Sequence, residues 1–311
     1  MRRFFYNLNS LQTVTQSATF NGSSVIDGER AALNKLAIGS LITLTDDIYY
    51  HWCRVLRAKV GDQSQIFDGL GGQTTIELEA IDKKSAQARL LHHDNIDNSS
   101  NFYSTIAIVM SRGDKMDYAI QKSTELGATA IQLLTSQHGE VRLKANQVDK
   151  KLNHWQQVAI SACEQCGLNR PPLVLSPFSI EEWFVQLQLK PQLDLHDEVS
   201  YILDDSYYQN YLKQAPLPLV MAVPSQQELQ KLDIDACIHK HFNLSTRQNI
   251  TSESKPRFDI LIGAEGGLSE LEYAKARELG FLPWQLGNRV LRTETAPVVA
   301  LATLNYIGKL Y

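Results

Sequence analysis

FDILIGAEGGLSELE, from Phe258 to Glu272, and FLPWQLGNRVLRTETA, from Phe281 to Ala296, decide the architecture of this 311-residue chain. Each opens on an apolar run of strand length, passes through glycine and enters a helical pattern. That order places a ligand outside the carboxyl end of a strand in an open α/β sheet. In the first stretch Gly263, Gly266 and Gly267 permit φ > 0 and a close backbone approach to a bound molecule, so a bulky residue at Gly266 is expected to abolish binding. Ser269 followed by Glu272 is a capping box for a helix through LSELEYAKARELG that ends with Gly280 as C′. Neither G-x-G-x-x-G nor G-x-x-x-x-G-K-[ST] occurs here, which weakens dinucleotide and nucleoside triphosphate readings.

In the second stretch Gly287 ends a strand, and Arg289 and Arg292 flank a short apolar pair. Thr293, Glu294 and Thr295 bring polar groups to the point where Pro297 opens a helix. That helix, with Val298, Val299, Ala300, Leu301, Ala302, Leu304, Tyr306 and Ile307, is apolar on nearly every side, as in a core or a subunit interface. Upstream, IAIVM (106–110), ATAIQLL (128–134), YILDD (201–205) and PLVMAV (218–223) read as strands, with DYAIQKSTELG (117–127) and a long segment ending at Cys166 as helices. Alternating β and α elements predict a parallel sheet. The first 72 residues or so read as a β-rich domain, 73–101 as a connecting strand and linker, and 102–311 as the α/β domain. The polar HHDNIDNSSN marks that linker and makes His92 and His93 solvated loop residues.

Four cysteines, at 53, 163, 166 and 237, no signal-peptide pattern and no apolar run near membrane-spanning length point to a reduced, cytoplasmic protein with no membrane segment. Cys163 and Cys166 form a C-x-x-C, but no second pair or neighbouring histidines complete a zinc site, so two thiols on a packed helix face are expected and no metal. The net charge of −4 is uneven. Residues 181–205 hold seven acids against Lys190 alone, a local balance of −6 that leaves the remainder slightly basic. Basic and aromatic residues mix near the N-terminus: Arg2, Arg3, Phe4, Phe5 and Tyr6, then Tyr49, Tyr50, His51, Trp52, Arg54 and Arg57. Such a mixture suits phosphate contact and base stacking, and equally a solvated face over core aromatics.

The two C-terminal stretches resemble the last signature motifs of the SPOUT methyltransferases, and in particular the RsmE family of 16S rRNA uridine-N3 methyltransferases. MRRFF, YHWCRVLR from Tyr50, the Gly61-Asp62 pair, FDGLGG from Phe67, KMDYAIQKSTELGA from Lys115 and EQCGLNRPPLV from Glu164 extend the resemblance over nearly the whole chain. It implies a small PUA-like RNA-binding β-barrel followed by a SPOUT domain whose C-terminal trefoil knot spans roughly residues 258–311. It also implies S-adenosylmethionine (SAM) as cofactor, held by Ile262, Gly263, Glu265, Gly266, Gly267, Leu286, Gly287, Val290, Leu291, Thr295 and Ala296. Arg292 is then a candidate to stabilise charge on uracil, and Glu294 a candidate base if it is buried, or else a capping or ion-pair carboxylate beside Arg289 or Arg292. Arg2, Arg3, Phe4, Arg54, Arg57, Lys115, Lys122 and Arg170 become candidate RNA contacts, with Glu125 and Glu164 orienting the cations. The implied partners are 16S rRNA in the small ribosomal subunit and a second copy of the chain, with both active sites at the dimer interface.

The chain departs from the family's pattern at three places. Ala264 stands where proline is usual, and it supports an alternative in which the protein binds SAM and RNA without catalysis and acts in ribosome assembly. Gln137–Val141 (QHGEV) replaces a Ser-Glu-Arg-Ser-like stretch, so no substrate contact is carried onto it. The polar run from about Ser225 to Pro256 reads as a surface insertion.

Overall fold

The computed structural model describes residues 1–8, 32–189, 197–222, 233–242 and 255–309. The chain forms two compact units, the first of Met1–Ser99 with Cys163–Arg170 and the second of Ser100–Ala162 with Pro171–Tyr311.

The first unit holds five strands: β1 (Arg3–Phe5), β2 (Leu41–Thr43), β3 (Gln63–Phe67), β4 (Gln73–Ile81) and β5 (Ala86–Asp94). They form one sheet in the order β1-β3-β4-β5-β2, in which β1 and β3 are parallel and the other pairs antiparallel. Period-two burial sets the inner face, with Thr74, Ile76 and Leu78 of β4 and Ala86, Ala88 and Leu90 of β5 turned inward. Residues 73–94 are therefore the two longest strands of this sheet rather than a connection, because alternating apolar side chains reward pairing more than the nearby polar residues disfavour it. His92 and His93 lie in β5, not in a loop. His93 donates Nε2–H to the Leu36 carbonyl at 2.8 Å and takes the Thr74 hydroxyl on Nδ1 at 2.8 Å.

A short helix α1 (Asp46–Ile48) widens into a turn over Tyr49–Val55, where Leu56 N–H reaches the His51 carbonyl five residues back at 2.9 Å. The wide turn buries Tyr49 and Trp52 and leaves Tyr50, His51 and Arg54 exposed. Arg57, just beyond it, has φ of 58°, the one non-glycine residue with positive φ among the described residues.

The second unit is built on six parallel strands, β6 (Tyr103–Val109), β7 (Ala130–Thr135), β8 (Leu173–Ser179), β9 (Pro216–Met221), β10 (Arg257–Ile262) and β11 (Leu282–Trp284), in the order β11-β9-β10-β6-β7-β8. The central strands β6 and β10 are buried along their whole length, as strands covered on both faces must be. Side chains alternate between two cores. Ile106, Ile108, Ile131, Leu133 and Ile260 meet helices α2 (Asp114–Glu125), α3 (Ala145–Cys166) and α8 (Ala296–Lys309). Ala107, Val109, Leu134 and Leu261 meet Trp183 and Phe184 of α4 (Ile180–Gln188) and Phe281.

Two readings change here. YILDD is not a strand: Asp197–Asp204 forms a 3-10 turn, and Asp205 caps α5 (Ser206–Lys213) by accepting Tyr207 N–H at 2.9 Å. Two aspartates and a serine are helix-start chemistry, and Tyr207, Tyr208 and Tyr211 bury at helical spacing. The sheet edge is taken by β8, which ends in a capping box at Ser179 and Glu182. In the C-x-x-C pair Cys163 is buried but Cys166 is exposed, so the thiols do not share a packed face. Of the polar run 225–256, residues 233–242, which include helix α6 (Ile234–His241), and residues 255–256 are described, and the rest lies outside the described residues. The strand order reverses between β6 and β10, beside β9 and β11, the position at which doubly wound sheets open a crevice.

Candidate cofactor and active site

β10 delivers Gly263 to the crevice, and the chain turns at once. Gly267 N–H donates to the Ala264 carbonyl at 2.8 Å, with Gly267 at φ of 73°. Of the three glycines that permit φ > 0, Gly267 adopts it and neither Gly263 nor Gly266 does. Gly263 is required for packing instead: a Cβ there would lie 2.9 Å from the Gly267 carbonyl carbon and 3.0 Å from Leu268 N. Gly266 has room, its nearest neighbour being His138 at 3.5 Å. The turn feeds α7 (Glu270–Glu278), whose capping box is complete and whose end is a Schellman motif, with Gly280 N–H on the Arg277 carbonyl at 3.1 Å and Phe281 N–H on the Ala276 carbonyl at 3.0 Å. Glu272 is buried, and beyond its capping role its Oε1 accepts Gln137 N–H at 2.8 Å, tying the loop after β7 to the glycine turn.

The second stretch leaves β11 through Gly287, whose φ is 85°, and closes on itself where Thr295 and Ala296 N–H both donate to the Arg292 carbonyl, at 2.9 and 3.0 Å. Thr293 donates its hydroxyl to the Gly263 carbonyl at 3.2 Å, so the two loops are hydrogen-bonded into one wall. Between them lies a cavity of about 350 Å³. Ile262, Gly263, Glu265, Gly266, Gly267, Leu286, Gly287, Val290, Leu291 and Ala296 line it, but Thr295 does not. Met221 and Ala222 from the end of β9, Ala264 and Leu268 from the glycine turn, Glu270 and Tyr273 from α7, and Arg289 and Thr293 complete it. Thr293 lay within the stretch already singled out. Met221 and Ala222 could be found only once β9 was known to lie beside β10.

Neither Arg292 nor Glu294 lines the cavity: Arg292 is exposed, and Glu294 is buried, with Oε2 lacking a hydrogen-bond partner among the described residues. No ion pair joins Glu294 to Arg289 or Arg292 among those residues, which removes the simple ion-pair reading. Lys115 at the start of α2 pairs with Glu265, raising the lysine pKa and lowering that of the glutamate. Glu294 reinforces the rise at Lys115 and Arg292 the fall at Glu265, so the four charges form one electrostatic group at the cavity rim. Lys122 pairs with Glu125 at 2.8 Å.

In the first unit three of the candidate RNA contacts have other work. Arg3 donates to the Cys163 carbonyl at 3.0 Å and to Asn169 and lies over Phe67, and burial pulls its pKa down. Phe4 is in the core, and Arg170 pairs with Asp97 at 2.7 Å with its side chain 11% exposed. These contacts hold Cys163–Arg170 to the sheet, and burial deprives the side chains of reach. Glu164 accepts Phe5 N–H at 2.9 Å. Arg2, Arg54 and Arg57 remain exposed, Arg54 over the Tyr49 ring at 5.2 Å.

An RNA methyltransferase domain model matches residues 98–223 and 212–305. The chain belongs to the RNA methyltransferase family. An RNA methyltransferase PUA domain model also matches this methyltransferase at residues 44–91. Among curated relatives, ribosomal RNA small subunit methyltransferase E of Synechocystis is 30% identical over 86% of this chain and 74% of its own length. Its namesake in Buchnera aphidicola is 29% identical over 86% and 92%. A ribosomal RNA small subunit methyltransferase E of Neisseria gonorrhoeae, solved bound to SAM, superposes with a TM-score of 0.69 at 28% identity, over 99% of this chain and 98% of that one. A Legionella pneumophila methyltransferase, also solved with SAM, reaches 0.71 at 25% identity over 99% and 98%. The resemblance to the RsmE family thus holds along the methyltransferase.

Proposed function

We propose that this enzyme transfers a methyl group from SAM to N3 of a specific uridine in 16S rRNA of the small ribosomal subunit, in the cytoplasm. The observation that carries this is the cavity walled by both glycine-rich stretches, together with SAM in the solved relatives. SAM suits it physically. The volume lies in the ~300–1,000 Å³ range of small-molecule sites. Glycine backbone offers amide donors and acceptors to an adenine, Leu286, Val290 and Leu291 offer apolar surface, and Glu265 offers negative charge to a sulfonium and amine. When bound, SAM supplies an activated methyl group.

The chain's own residues have the remaining task. Uracil N3 is a poor nucleophile until its proton leaves, so a base and a cation are needed beside the ring. We assign Glu294 Oε2, buried and unpartnered, to accept the N3 proton as the N3–C bond forms and the S–C bond breaks. Arg292 offsets the charge that spreads onto the uracil oxygens. Arg2, Arg54 and Arg57, with exposed Tyr50 and His51, are assigned to RNA. Lys115, engaged with Glu265, acts at the rim, and Lys122 reaches RNA only by exchanging Glu125 for phosphate. Isothermal titration should give binding to SAM and none to ATP, and rRNA from a strain lacking the gene should lose one methylated uridine. ATP binding in place of SAM, or an unchanged rRNA, would overturn the reading. The non-catalytic alternative has little left, since Ala264 makes its turn through its carbonyl, which proline would also supply.

We also assign to residues from about 258 to 311 the trefoil knot of SPOUT domains, a reading supported by the family resemblance and by the placement of β10 between β9 and β6. A homodimer is supported by α8. One face of it carries half-buried Val299 and exposed Ala302 and Tyr306, the last 65% accessible, at spacings of three and four residues. Ala302→Glu should yield a monomer by sedimentation equilibrium with activity lost. A variant still dimeric at micromolar concentration would exclude this face as the interface.

A further inference from the structure

The loop after β7, Ser136–Glu140, overlaps one of the three departures from the family's pattern, Gln137–Val141, and buried Glu272 ties it to the glycine turn. Four of its five residues are engaged. Ser136 is buried and its carbonyl accepts Gly139 N–H at 3.2 Å. Gln137 N–H is held by buried Glu272. Gly139 leaves no space, since a Cβ would lie 3.0 Å from Val109 Cγ1 and 3.1 Å from Ser136 Oγ. Glu140 pairs with Arg112 at 3.1 Å across to the end of β6. His138 is the residue left over. Its side chain is exposed, no hydrogen bond or ion pair to it occurs among the described residues, and a methyl group placed on Gly266 would lie 3.5 Å from its Cβ and 3.8 Å from its Nδ1.

An imidazole with no hydrogen-bond partner among the described residues thus lies beside Gly266, one residue of the cavity wall, just outside the cavity's own lining, on a loop whose other residues are engaged, so ordering it on binding costs little. We propose that His138 is a specificity-determining contact for the acceptor nucleotide, stacking its ring on the base, or on the base beside it, as that base enters from the open side of the cavity. Unpaired RNA bases are recognised in this way on aromatic side chains, histidine among them. The inference rests on the reading above, that this site methylates RNA.

The test compares His138→Ala and His138→Phe with wild type, using small ribosomal subunits from a strain lacking the gene as substrate. SAM affinity is read by isothermal titration, and binding of a fluorescein-labelled oligouridylate by anisotropy without SAM. His138→Ala should raise the KM for subunits and the Kd for oligouridylate by about tenfold, within what a base–aromatic stack contributes. SAM affinity and Tm should stay at wild-type values, and His138→Phe should recover most of the loss. An unchanged KM and Kd in His138→Ala, or a His138→Phe no better than alanine, overturns the proposal while the methyltransferase reading stands. A wild-type protein that neither binds SAM nor methylates RNA overturns both.

Discussion

Gly263→Ala should weaken SAM binding by about ten- to a hundredfold while the protein remains folded, in keeping with the ~1–3 kcal/mol that overpacking costs. The added methyl would meet the Gly267 carbonyl carbon at 2.9 Å and Leu268 N at 3.0 Å, and backbone cannot swing aside as a flexible side chain can. The Gly267–Leu268 segment must then move, and with it the cavity wall and the Thr293 hydrogen bond to the Gly263 carbonyl. Gly266→Ala is the matched control. The protein itself accepts a Cβ there, so any loss of affinity reports contact with the ligand alone. Titration calorimetry on both variants, with Tm measured alongside, decides the matter. Wild-type affinity in a folded Gly263→Ala protein would move the cofactor site elsewhere.

Arg292→Ala should lower kcat by about a hundred- to a thousandfold, the usual consequence of removing one preorganised group that meets developing charge. SAM affinity should change by no more than a few fold, because the arginine side chain is exposed and does not line the cavity. Single-turnover methyl transfer and SAM titration separate the two quantities. Equal losses in both would make Arg292 part of the loop that closes through its own carbonyl on Thr295 and Ala296. Glu294→Gln should cost about a hundredfold or more, as loss of a general base does, while keeping size and burial nearly constant. Near wild-type rates in that variant would show that the uracil proton leaves without Glu294.

Much of the fold was legible in local chemistry. A strand that is apolar throughout, a glycine turn, a serine followed three residues later by glutamate and a closing glycine each act over a few residues. β10, the Ala264–Gly267 turn and α7 therefore follow from their own sequence. The same locality misled at YILDD, where two aspartates and a serine outweighed β-propensity, and at 73–94, where strands lie close to polar residues that look like a linker. In the basic and aromatic N-terminal cluster, residue type could not say which side chains face inward. Arg3 and Phe4 are tied into the first unit, as is Arg170 farther along the chain, and Arg2, Arg54 and Arg57 are exposed.

From the sequence alone came the α/β class, the two glycine stretches and the family they resemble, because periodicity, turn residues and caps are decided between near neighbours in the chain. Only the tertiary structure decided that Met221 and Ala222 join the cavity, that Glu272 ties Gln137 to the glycine turn, and that His138 lies beside Gly266. Each of these depends on strands far apart in the chain becoming neighbours, β9 beside β10 and β7 across β6 from it. Strand order is set by the packing of whole layers, and no local pattern encodes it.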